Sequence, residues 1–187
     1  MTEIDEPQLI ELAKTDADAF KHLYQRYIHR IHSYVLFRIG HKEEAEDITS
    51  IVWEKVVQHF PQFTPEHSNS FAAWIFAIAH NCVAMHYRSN SNKKTISTED
   101  LLVEIPDPNK TPYEATSDTI LKDQLAKAIK LLPEQQAVTV SLRFFSELSN
   151  KEIAQILQLS EKTVASNLCR GLRQLYAIWN KDAVNSS

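Results

Sequence analysis

SNKEIAQILQLSEKTVASNLCRGLRQL, residues 149–175, decides the fold. Ser149 and Glu152 have the S-x-x-E spacing of a capping box. In that box the serine oxygen accepts from the glutamate N–H, and the carboxylate accepts from the serine N–H. The spacing predicts a short helix over 150–157. Gln158 and Leu159 then make a turn, and Ser160 caps a further helix. Val164, Leu168, Leu172 and Leu175 recur at three- and four-residue steps and are the expected buried stripe of that second helix. Two helices joined by about three residues form a helix-turn-helix pattern, whose second helix lies in the DNA major groove.

Working towards the N-terminus, Pro133 suits the first turn of a helix that carries Val138, Val140, Leu142 and Phe145. A preceding helix is expected over 113–131. Pro106, Pro108 and Pro112 break any helix across IPDPNKTP, so residues 94–112 read as a flexible linker. Before it, Phe20, Leu23, Tyr24, Tyr27, Ile31, Tyr34 and Val35 mark a long amphipathic helix that Gly40 ends. Ala45, Ile48, Val52, Val56 and Phe60 define a second helix over 42–59. Pro61 and Pro65 punctuate a loop, and Asn69 or Ser70 caps a helix with Trp74, Ile75, Ile78, Ala79, Cys82 and Val83. The expectation is an all-α chain of two helical domains, 7–93 and 113–181, joined by the 94–112 linker, with the helix-turn-helix in the second.

Composition excludes several classes. The only glycines are Gly40 and Gly171, so no glycine-rich phosphate cradle can form. No run approaches the ~20 apolar residues of a membrane span, and the acidic Met1–Pro7 stretch does not read as a secretory leader. A cytoplasmic protein without membrane insertion is expected. Cys82 and Cys169 make no CxxC pair and read as free buried thiols. His29 and His32 share a helical face, but no histidine pair has the HExxH spacing, so no metal, cofactor or catalytic group is expected. The net charge of -4 hides a polarity. Residues 96–119 hold 1 basic and 6 acidic side chains, whereas 120–187 hold 9 and 6. The C-terminal half is the cationic one, as a phosphate backbone requires.

Residues 149–175, with LPEQQAVTVSLRFF at 132–145, resemble the promoter-binding C-terminal domain of bacterial sigma factors. DADAFKHLYQRY, AEDITSIVWEKV and FAAWIFAIAHN resemble, in order, the sigma domain that binds the polymerase clamp and opens the promoter. The size and the absence of a middle domain are similar to the extracytoplasmic-function group. The resemblance implies core RNA polymerase and promoter DNA as partners, with an anti-sigma protein as a further one, and no enzymatic activity. The alternative is a free-standing helix-turn-helix regulator whose N-terminal half serves dimerisation or sensing. Ser50 stands where the group usually has Gln, Ala165 and Asn167 where Lys and Arg are frequent, and Gln158 where Gly is usual.

The candidate site residues follow. Lys162, Thr163, Ser166, Asn167, Arg170 and Arg173 lie off the expected apolar stripe. Lys162, Arg170 and Arg173 suit phosphates, while Ser166 and Asn167 suit base edges, with asparagine matching adenine. A solvated polar face is the plain alternative. Glu46, Asp47, Ser50, Ile51 and Glu54 form one outer face of the 42–59 helix, and the resemblance makes that face the polymerase contact. Trp74, Asn81, Tyr87 and Arg88 correspond in position to the strand-opening surface, where aromatics stack on exposed bases. Trp74 fits the core equally well. The loop from Phe63 to Ser70 is a second place for an unstacked base.

Overall fold

A computed structural model describes residues 5–65, 70–90 and 128–185, and its regular elements there are all helical. They are α1 (Glu6–Ala13), α2 (Ala17–Ile39), α3 (Lys42–His59), a short 3-10 turn (Phe60–Gln62), α4 (Ser70–Asn90), α5 (Glu134–Ser146), α6 (Asn150–Leu157) and α7 (Glu161–Asn185). The expected linker and most of the expected 113–131 helix lie outside the described residues, as do both domain boundaries drawn around the linker. Residues 128–130 are helical.

α2 is the central element. Asp16 starts it by accepting from the N–H groups of Asp18 at 2.8 Å and Ala19 at 3.4 Å. Gly40 ends it with φ 83, a left-handed turn that glycine adopts without a Cβ penalty. Leu23, Tyr27, Ile31, Tyr34 and Val35 are buried along it, as their spacing predicts. α3 lays Ala45, Ile48, Val52, Trp53 and Val56 on this stripe, and α4 adds Phe71, Ile75, Phe76 and Ala79. Edge-on aromatic pairs tie the layers, including Phe20–Phe60 at 5.2 Å, Tyr27–Phe71 at 5.1 Å and Tyr34–Phe76 at 5.7 Å.

α5, α6 and α7 form the helix-turn-helix half. The capping box is complete: Ser149 N–H donates to Glu152 Oε2 at 2.7 Å, and Glu152 N–H donates to Ser149 Oγ at 3.3 Å. The turn passes through Gln158 at φ 55 and ψ 41, a left-handed conformation that this residue holds without being glycine. The core does not stop between the halves. Val138, Leu142, Leu148, Ile153, Ala154 and Val164 belong to the same buried cluster as the α2–α4 core. A smaller cluster of Ala128, Ile129, Leu132, Ala137, Val140 and Leu175 closes α5 against α7.

Two sequence expectations need correction here. Leu172 is not buried: it is 57% exposed. The inward face of α7 is Val164, Asn167, Leu168, Gly171 and Leu175, rotated by about 40° from the expected stripe of Val164, Leu168, Leu172 and Leu175. Gly171 is the reason. A Cβ there would sit 2.8 Å from Val140 Cγ2, so the bare backbone is what lets α7 approach α5 so closely. Cys169 is also exposed rather than buried, while Cys82 is buried as expected. It lies on the face of α7 opposite Gly171.

Candidate nucleic-acid and polymerase interfaces

α7 presents one polar face. Lys162, Arg170 and Arg173 are exposed, and Ser166 and Thr163 are half-buried. Positions 162, 166, 169 and 173 recur every three or four residues, so they form one stripe away from α5. The helix start is fixed by Ser160, whose Oγ accepts from the Thr163 N–H at 3.1 Å and lies 2.7 Å from Thr163 Oγ1. Thr163 is therefore part of the cap. Arg173 reaches back one turn to Cys169 Sγ at 3.8 Å. Among the described residues, Lys162 and Arg170 form no ion pair, so both charges are open to a phosphate partner.

Asn167 departs from its expected place. It is 6% exposed and points inward beside Gly171, not towards solvent. Its Nδ2 has no hydrogen-bond partner among the described residues, and neither does Oε1 of Gln136 on α5. The side chain thus packs at the α5–α7 seam, and Ser166 alone of the pair is left near the polar stripe. An asparagine beside Ser166 on a helix rich in polar residues gives no signal of its own burial; the glycine four residues later marks the inward face.

On α4 the expected group divides. Trp74, Asn81 and Arg88 recur at seven-residue steps and share an outer stripe. Asn81 and Arg88 are exposed. Trp74 is half-buried, stacked on Phe63 at 4.7 Å and tilted against Phe71 at 5.6 Å. Phe63 thereby anchors the start of the expected base-holding loop, although residues 66–69 of it lie outside the described set. Tyr87 sits on the opposite face. Its hydroxyl donates to the Arg38 carbonyl, and the Arg38 guanidinium lies 5.9 Å from its ring centroid. Burial pushes its phenol pKa up. Tyr87 is 42% exposed, but its hydroxyl ties α4 to α2 and it does not lie on the stripe of Trp74, Asn81 and Arg88. Met85, 56% exposed, lies on that stripe and was not among the expected residues.

On α3, Glu46, Asp47, Ser50, Ile51 and Glu54 are all exposed together, as their spacing predicts. Ile51 is 44% exposed, an apolar point framed by carboxylates. Val57, three residues beyond Glu54, extends the same face by about one turn and was also missed. The Ser50 hydroxyl donates to the Glu46 carbonyl at 2.9 Å, so its polar group is turned onto its own helix.

No helix of the described residues is long and apolar enough to cross a membrane. Residues 23–93 match the family description Sigma-70 region 2, and residues 122–175 match Sigma-70, region 4. The chain is 30% identical over 177 residues to the ECF RNA polymerase sigma factor BldN of Streptomyces coelicolor, covering 94% of this chain and 66% of that protein. It is 29% identical over 160 residues to the RNA polymerase sigma factor YlaC of Bacillus subtilis, covering 84% and 90% of the two. In fold it is similar to CnrH, solved in complex with the cytosolic domain of CnrY, with a TM-score of 0.67 and 19% identity over 96% of this chain and 99% of that one. It is likewise similar to RpoE of Bartonella quintana, solved with the anti-sigma factor NepR, at a TM-score of 0.68 and 17% identity over 86% and 96%. Two regions of one family, matched in order over helices with the exposed faces described above, place the chain: it belongs to the sigma-70 family of RNA polymerase sigma factors, in the extracytoplasmic-function group.

Proposed function

We propose that this chain binds core RNA polymerase and directs promoter-specific transcription initiation from the cytoplasm. The single observation that carries the reading is the order of the two matches, region 2 before region 4, each over its own helical unit. In this reading the α3 face of Glu46, Asp47, Ser50, Ile51 and Glu54 docks on polymerase. Its acidic frame suits a basic partner, and Ile51 with Val57 supplies the apolar centre. Lys162, Arg170 and Arg173 hold phosphates of the upstream element, and Ser166 approaches base edges. Trp74, Asn81 and Arg88 meet the opened strand, with Met85 beside them. The chain needs no chemistry of its own, because polymerase forms the phosphodiester bonds. An anti-sigma protein is the third partner, as the names of the similar solved complexes suggest.

Co-purification with core polymerase tests the reading. The chain should retain core, and Asp47→Lys should lose most of that retention at unchanged helicity. A chain that binds promoter DNA alone and ignores core would instead be a free-standing regulator.

A further inference from the structure

α7 carries a second stripe beside its polar one. Ala165, Cys169, Leu172, Tyr176 and Trp179 recur at steps of four, three, four and three. That is the spacing by which a helix presents one seam to a neighbouring chain. All five are exposed, Leu172 by 57%, Tyr176 by 70% and Trp179 by 42%. The packing of α7 on α5 uses the inward stripe, so this row is left to solvent among the described residues. A contiguous apolar row on an exposed helix marks a contact surface rather than a solvated face. Cations frame it: Lys162 and Arg173 lie along one edge, and Arg170 is exposed beyond them.

Residues 91–127 lie outside the described set, and their sequence matches this row in composition, charge and place. Segment 99–107, EDLLVEIPD, holds Leu101, Leu102, Val103 and Ile105 framed by Glu99, Asp100, Glu104 and Asp107, with no basic residue. The described chain resumes at Ala128, which shares a buried cluster with Leu175, and Ile178 packs against that cluster. Leu175 and Ile178 directly precede Tyr176 and Trp179, so the chain resumes beside the row. The intervening residues 108–127 can span up to about 65 Å, and the row from Cys169 to Trp179 is only about 15 Å long. A second copy matches less well, because it would set Lys162, Arg170 and Arg173 against their own kind. We propose that the row is a docking surface whose occupant is the chain's own segment 99–107, with its apolar side chains on the row and its carboxylates beside Lys162 and Arg173. The docking stands on spacing, charge and place alone; one consequence rests on the proposed DNA contact. Cys169 belongs to both stripes and Arg173 borders both, so the segment and a phosphate backbone compete for the same cation. The tether lets even a weak segment compete, because linked groups meet at an effective concentration of about the millimolar range.

Cys169 reports the occupant, since it is the exposed thiol and Cys82 is buried. The test is alkylation of the full chain by N-ethylmaleimide, read at Cys169 by peptide mass. Joint replacement of Leu101→Ser, Leu102→Ser, Val103→Ser and Ile105→Ser keeps every charge and should raise the rate several-fold. Trp179→Ser removes part of the seat about 15 Å from Cys169, too far to shield the thiol directly, and should also raise the rate at unchanged far-UV circular dichroism. Protection of the wild type should weaken as salt screens the carboxylates from the cations. Equal rates for the wild type and the four-serine chain overturn the docking. Protection that grows with protein concentration also overturns it and assigns the row to a second copy. The four-serine chain should in addition bind duplex DNA more tightly than the wild type in fluorescence anisotropy. Binding by neither chain would count against the proposed role of α7, while the alkylation rates would still decide the docking.

Discussion

Replacing Gln158 by glycine should stabilise the protein. Gln158 turns the chain between α6 and α7 at φ 55 and ψ 41. A left-handed conformation costs an L-residue roughly 1–2 kcal/mol, because its Cβ crowds the following carbonyl. Glycine removes that cost but gives back about 0.4–1 kcal/mol through the greater freedom of the unfolded chain. The Gln158 side chain is exposed, so little packing is lost. The net gain should be about 0.5–1 kcal/mol. Gln158→Ala is the control, since alanine keeps the Cβ and gains nothing. Thermal unfolding followed at 222 nm reads the difference. Because buried residues of both halves share one cluster, a single transition is expected. A domain of this size shifts by about 2–4 °C per kcal/mol, so the gain should be about 1–4 °C. A Gln158→Gly melting point at or below that of Gln158→Ala would refute a left-handed turn at this residue.

Other consequences are equally open to measurement. Gly171→Leu should destabilise by about 1–3 kcal/mol in chemical denaturation, through overpacking against the stiff Val140 side chain. Asn167→Ala should leave the preferred upstream sequence unchanged in a selection from randomised DNA with reconstituted holoenzyme, because Asn167 is buried. Arg173→Ala should weaken all sites alike and reduce the salt slope by about one. Stability should fall in mild acid. Burial lowers the pKa of His80, helped by the Arg38 cation, and burial also lowers that of His32. The unfolded chain then binds more protons than the native one below about 6.5, so stability is present above that pH and is lost as pH falls through the lowered native values. Denaturant midpoints between pH 8 and 5 measure this, and substitution of His80 by glutamine should flatten the profile.

Much of the fold was legible because it obeys simple periodicity. α3 and α6 begin and end where the apolar spacing, the glycine and the capping box put them. The exposed α3 face was legible for the same reason. On α7 the apolar spacing places Val164, Leu168 and Leu175 inward as found but misplaces Leu172, because Asn167 and Gly171 also seat the inward face and neither contributes to a hydrophobic stripe. The family pattern puts Tyr87 on the strand-opening surface; it is 42% exposed, yet it falls on the same face of α4 as Val83, with its hydroxyl bonded to the Arg38 carbonyl of α2. The packing of α5 on α2 had no signal at all. It joins residues more than a hundred positions apart, and it depends on an arginine meeting backbone carbonyls, which any sequence supplies.

The most direct test of the central claim is run-off transcription on genomic fragments, with core polymerase in the presence and absence of this chain. Discrete transcripts that require the chain, start at fixed positions and disappear with Asp47→Lys are the expected result. Transcripts unchanged by adding the chain, under conditions where a known sigma factor directs its own promoters, would contradict it.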